Sequence, residues 1–196
     1  MKEWKQIVAM IAIVVFVGRW FLHIFMFGNV LDDPEFDAAL AWAEQVGIWG
    51  IELSREYPFS SVTRREAAQR YVSVAQEIWL VPEQDEGCTF TDIYHLEKAE
   101  QEIIHLSCLY WFFKGNDHVF LGEQYITKAN SLVALMRWLY PWKDFDETDQ
   151  YRDPYVTFAH NLGITRRPTG PYMMYLVTRY ELLLQLYRIG KMKGWN

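Results

Sequence analysis

A short pattern occurs three times in this chain, and each copy opens an apolar run at helical spacing. The copies are Val62-Thr63-Arg64-Arg65-Glu66, Ile126-Thr127-Lys128-Ala129-Asn130 and Val177-Thr178-Arg179-Tyr180-Glu181. Each reads β-branched residue, Thr, cation, any residue, then Glu or Asn. Counted from the Thr, offsets of 5, 8 and 9 hold Ala68, Tyr71 and Val72 in the first copy. The same offsets hold Leu132, Leu135 and Met136 in the second, and Leu183, Leu186 and Tyr187 in the third. These offsets share one helical face, so the chain predicts the same buried face three times over.

The pattern has a physical logic. Thr followed three residues later by Glu is a capping box: the hydroxyl accepts from the N3 amide and the carboxylate reaches back to the N-cap amide. Thr63/Glu66 and Thr178/Glu181 satisfy it, and Thr127/Asn130 is a weaker form. The cation at the first helical position (Arg64, Lys128 or Arg179) sits beside the positive end of the helix dipole, at a cost of about 0.3–1 kcal/mol. Free amides, the dipole and a cation together make an anion site suited to a carboxylate or phosphate. The alternative is that these cations lie over neighbouring aromatics or pair with nearby Glu.

Each patterned helix follows another helical segment. Asp33-Pro34-Glu35 is a helix start, and Ala38, Ala39, Trp42, Val46 and Trp49 recur at three- and four-residue steps up to Gly47 or Gly50. A second unit begins at Cys88-Thr89-Phe90-Thr91-Asp92-Ile93, with a first helix expected to end at Lys114-Gly115. A third runs from Tyr151 to Leu162, stops at Gly163-Ile164 and resumes with the Thr178 helix to Gly190. Gly47 precedes Arg64 by 17 residues, Trp111 precedes Lys128 by 17 and Gly163 precedes Arg179 by 16. The expected class is all-α, with repeats over residues 36–82, 88–141 and 151–190 inside a domain of residues 32–196.

Residues 1–31 differ in kind. Lys2 and Lys5 precede an apolar run over residues 7–17, and a second apolar block spans 20–27. Together they reach the ~20 residues that a bilayer requires. No small-x-small site follows Val17, so a retained anchor is expected rather than a removed signal peptide. Lysines before it and Asp32, Asp33 and Glu35 after it place the N-terminus in the cytoplasm and the repeats outside. Arg19 and His23 lie four apart on one face of this helix. They either face a partner within the membrane or mark its edge, with Arg19 snorkelling to the interface.

Phe90-Thr91-Asp92-Ile93, the Gly-Ile stops at Gly47-Ile48 and Gly163-Ile164, and the three Thr-cation helices resemble S-layer homology (SLH) repeats. The similarity covers about residues 36–190. It implies a pseudo-threefold bundle whose inter-repeat grooves bind acidic, often pyruvylated, cell-wall polysaccharide attached to peptidoglycan. Carried over, Arg64 and Arg179 match the ligand-binding arginine, within a site of Thr63, Arg64, Glu66, Thr127, Lys128, Thr178, Arg179 and Glu181. Lys128 keeps the charge without the guanidinium fork, and Asn130 stands where the family has Glu.

Other chemistries find little support. A net charge of −6 opposes nucleic-acid binding. His95, His105, His118 and His160 are dispersed, and no HExxH, G-x-S-x-G or phosphate loop is present, so no enzyme, metal or cofactor is expected. The acidic run from Asp144 to Asp149 lacks the mid-loop Gly of a calcium site and reads as a solvated linker. Cys88 and Cys108 either close a disulfide worth about 3 kcal/mol or remain buried thiols. Two function classes follow. One is a membrane-anchored module that binds envelope polysaccharide or peptidoglycan and tethers membrane to envelope. The other is a structural subunit whose repeats pack on protein partners, a reading favoured by Trp49, Trp111, Trp138 and Trp142 as surface aromatics.

Overall fold

The computed structural model describes residues 33–78, 88–114, 118–143 and 153–195, and every regular element among them is helical. In chain order these are α1 (Pro34–Val46), α2 (Ile51–Glu56), α3 (Arg64–Glu77), α4 (Lys98–Leu109), α5 (Lys128–Leu139), α6 (Asp153–Asn161) and α7 (Arg179–Lys193). A single 3-10 turn, Pro171–Met174, precedes α7. The all-α expectation therefore holds. No helix among the described residues is long and apolar enough to cross a membrane. The expected anchor over residues 1–31, with Arg19 and His23, lies outside the described residues, as does the acidic run 144–149.

The first turn of α1 forms as its residues dictate. Asp33 accepts the Glu35 amide at 2.9 Å, and Pro34 occupies the first helical position, where no amide is needed. The compact unit that carries the remaining elements spans Ala38–Asn196.

At its centre the three repeated turns bond to one another. The Val62 amide donates to the Val177 carbonyl at 3.0 Å, Val177 to Ile126 at 3.0 Å, and Ile126 back to Val62 at 3.1 Å. These are the β-branched members of the three patterns, and their bonds close into a cycle. All three are buried, as a backbone ring cut off from water requires. A second tier follows the same logic in the opposite sense. The first amide of each patterned helix donates to a carbonyl two residues before the β-branched residue of another turn: Arg64 to Gln124 at 2.8 Å, Lys128 to Tyr175 at 2.9 Å, and Arg179 to Ser60 at 3.0 Å.

The predicted helical faces meet beneath this ring. Ala68, Tyr71, Val72, Leu132, Leu135, Met136, Leu183 and Leu186 are all buried, and Tyr187 is half-buried. Tyr71 of α3 shares a hydrogen bond with Ser131 of α5 at 2.8 Å, and Ser131 donates to Gln185 of α7 at 2.6 Å. One polar thread thus joins all three patterned helices inside an apolar core, each member satisfied. Each patterned helix also packs on a helix of another unit: α3 on α4, α5 on α6, and α7 on α2 and on Trp42 of α1.

The first helices stop in one manner. Gly47, Trp111 and Gly163 have φ of +75°, +67° and +75°, and the residue after each donates five residues back, Ile48 to Ala43, Phe112 to Ser107 and Ile164 to Ala159. This is the left-handed helix stop that favours glycine. Trp111 adopts it despite its Cβ, so α4 ends at Leu109 rather than at the expected Lys114-Gly115. Gly190, expected to end the last helix, instead lies inside α7, which runs on to a left-handed Gly194. Its role is contact: a Cβ there would stand 2.6 Å from the Trp42 ring. Gly190→Ala is expected to cost about 1–3 kcal/mol by overpacking, read as a fall in the urea midpoint. Gly194→Ala, with open space around it, serves as the comparison.

Candidate functional site

Each patterned Thr caps its helix. Thr63, Thr127 and Thr178 accept from the amides of Glu66, Asn130 and Glu181, all at 3.2 Å. Only Thr178/Glu181 completes the reciprocal box, with the Glu181 carboxylate accepting the Thr178 amide at 3.2 Å. The box expected at Thr63/Glu66 is half formed, because the Glu66 carboxylate is turned to two guanidinium groups instead. The amides of the first and third helical positions are therefore occupied in all three turns, by neighbouring carbonyls and by Thr. The anion site expected from free amides has to rely on the cations.

Those cations are not equivalent. Arg179 donates to Glu66 through Nε at 2.7 Å and Nη2 at 3.2 Å, a bidentate pair between the third turn and the first. Lys128 Nζ lies 2.6 Å from Glu181, a pair between the second turn and the third. Following the same cycle, the partner of Arg64 would be residue 130, where the chain has Asn. Arg64 has no ion pair among the described residues; its guanidinium lies over the rings of Phe113 (4.8 Å) and Phe120 (5.3 Å). Its Nε is buried with no hydrogen-bond partner among the described residues. Burial pushes the Arg64 pKa down and the nearby Arg137 adds to this, while Asp92 opposes it. A desolvated guanidinium with an empty donor is an unmet demand for an anion.

Glu66 also accepts from Arg70 at 2.7 Å, and Arg70, 1% exposed, donates in addition to Ser54 at 2.6 Å and to the Gly50 carbonyl at 3.2 Å. Burial lowers the Arg70 pKa, with Glu66 opposing. Arg70 was not singled out by its sequence context. A cation four residues after a Glu on a helix is an ordinary surface pair, and nothing local shows that this one is enclosed.

Phe90-Thr91-Asp92-Ile93 supports the Arg64 side of the ring. Phe90 and Ile93 are buried, and the Asp92 carboxylate accepts the Phe120 amide at 2.8 Å and the Leu121 amide at 2.7 Å. Desolvation pushes the Asp92 pKa up, but these amides outweigh it and hold the carboxyl below its ordinary value. Cys88 and Cys108 are joined as a disulfide, tying the segment before Phe90 to α4.

A separate cavity of about 250 Å³ lies beside the Lys128–Glu181 pair, lined among others by Arg166, Arg167, Tyr172 and Arg188. Among the described residues no group of three or more His, Cys, Asp and Glu could hold a metal ion. Of the aromatics expected at the surface, Trp49 and Trp142 are exposed, Trp111 is half-buried, and Trp138 is buried against Phe112 and Trp195. The chain matches no protein-family model, no curated protein and no solved structure.

Proposed function

We propose that this chain is a membrane-anchored cell-envelope protein whose three SLH-like repeats, related by an approximate threefold axis, hold an acidic wall polysaccharide without covalent attachment. In this reading residues 1–31 span the membrane once, the repeats lie outside, and the domain tethers membrane to envelope. The observation that carries it is the third member of the cation cycle. Glu66 and Glu181 occupy Arg179 and Lys128, whereas Arg64, whose equivalent partner in the cycle would be Asn130, has a buried Nε without a hydrogen-bond partner among the described residues. A carboxylate from the polymer takes the place that glutamate holds in the other two clefts. Arg179 and Lys128 then act chiefly as internal clasps. The buried rings of Phe113 and Phe120 supply the apolar backing of the Arg64 guanidinium.

Two substitutions test this. Arg64→Ala removes the anchor, and Asn130→Glu supplies the missing carboxylate from within the chain. Both are expected to lower co-sedimentation with purified wall sacculi at least tenfold, while Arg179→Lys retains binding. Unchanged binding in both variants would overturn the Arg64 assignment. Absence of binding by the unaltered chain would favour a structural subunit in a membrane assembly. That second reading has its own support: Tyr125, Met174, Tyr175 and Leu176, all on the turns of the ring, are exposed.

A further inference from the structure

α5 and α7 both start at the ring and run about 20 Å away from it before they stop. Aromatic and long side chains gather where they end. Tyr140 and Trp142 follow α5, and Met192, Lys193 and Trp195 close α7. The two segments meet there. Trp142 packs edge-on to Tyr140 with ring centres 5.7 Å apart, and Lys193 Nζ lies 5.2 Å from the Tyr140 ring centre. Trp142 is 77% exposed and Met192 37%, with Lys193 exposed beside them. Single exposed apolar side chains are ordinary, but a Trp and a Met brought together beside a half-buried Tyr and Trp are a surface.

The chain also enters the compact unit at this end. Trp42 of α1 donates from Nε1 to the Trp195 carbonyl at 3.2 Å, and its ring stands against Gly190 of α7. Gly50, just after α1, offers its carbonyl to Arg70 in the middle of α3. Within the unit that begins at Ala38, α1 therefore runs from the Trp195 end towards the ring. On the proposed reading the apolar span closes near Phe27, eleven residues before Ala38, a reach of at most about 40 Å. The tether thus brings this end of the unit to the bilayer first.

The side chains match the layer where lipid headgroups meet acyl chains. Trp and Tyr concentrate at that depth because their rings are apolar while an N–H or O–H still reaches water. A lysine lays its stem along apolar surface and keeps its ammonium among the headgroups, and Lys193 already lies over the Tyr140 ring. We infer that Tyr140, Trp142, Met192 and Lys193 form a lipid-facing surface that rests this end of the domain on the outer face of the membrane. The ring and Arg64, at the other end of the helices, then point towards the wall. The inference rests on the membrane anchor of the proposed function and is independent of what Arg64 binds.

Both cysteines of the chain are held in the disulfide, so a nitroxide label attached through Met192→Cys reports on one place alone. Tyr125→Cys, at an exposed position on the ring, is the reference. The full-length protein is placed in nanodiscs of phosphatidylcholine and phosphatidylglycerol. Collisions of each label are then measured with oxygen, which concentrates in lipid, and with a nickel chelate confined to water. At position 192 nickel access is expected to fall several-fold below that at position 125, while oxygen access rises. Loss of nickel access without a gain in oxygen would mean that protein covers this end, and would overturn the inference. Equal access at the two positions in a chain retained by the nanodisc would also overturn it, and would leave the anchor standing. A chain that fails to co-elute with the nanodiscs would overturn the anchor itself, and the lipid-facing surface with it.

Discussion

Glu66→Gln is expected to destabilise the protein by about 3–5 kcal/mol, the largest effect of any single side-chain change considered. Its carboxylate accepts from Arg70 at 2.7 Å and from Arg179 at 2.7 and 3.2 Å, and all three side chains are at most 16% exposed. The amide is nearly isosteric, so packing survives while two desolvated guanidinium groups lose their counter-charge. Breaking one side of a buried pair costs this much because the other side stays buried and unpaired. The ion pair Arg55–Glu44 is the control: both side chains are about half exposed, and Glu44→Gln is expected to change stability by less than about 1 kcal/mol. Urea unfolding midpoints of the two variants measure the contrast directly. Equal shifts would mean that Glu66 is better solvated than its surroundings imply.

Loss of the Cys88–Cys108 disulfide is expected to cost about 3 kcal/mol. The bond closes a loop with a sequence separation of 20, and in the chain-entropy account a loop of that order stabilises by limiting the unfolded ensemble. Neither cysteine is more than 3% exposed, so reductant reaches the sulfurs only through local opening around α4. The double substitution Cys88→Ser/Cys108→Ser should therefore lower the thermal midpoint without added reductant. In the unaltered protein the same loss should develop slowly under reducing conditions. A midpoint unchanged by the double substitution would show that the Phe90–Ile93 segment is held by Asp92 and the core alone.

What the sequence made legible was local. Thr at the N-cap and a 3.6-residue period are signals contained within a dozen residues, and they located α3, α5 and α7 and the faces these helices bury. What it left hidden was long-range. Arg179 and Glu66 are 113 residues apart, and no neighbour of either announces the other. The same applies to the choice Glu66 makes: a charge-assisted bond to two guanidinium groups outweighs a bond to its own N-cap amide. Trp111 shows a different limit. Spacing aligns it with Gly47 and Gly163, yet a left-handed stop disfavours a residue with a Cβ, and the next glycine in the sequence lies only at Gly115. Trp138, grouped with Trp49, Trp111 and Trp142 as a surface aromatic, is instead covered by Phe112 and Trp195.

Everything rests on three turns being copies of one design that bond to each other in a closed cycle. Native-state amide hydrogen exchange at Val62, Ile126 and Val177 tests this most directly. Because each amide donates to another member of the ring, opening one turn should release all three. The prediction is a common, high protection that falls together in Glu66→Gln. Rapid exchange at one of the three, with the others still protected, would contradict the ring.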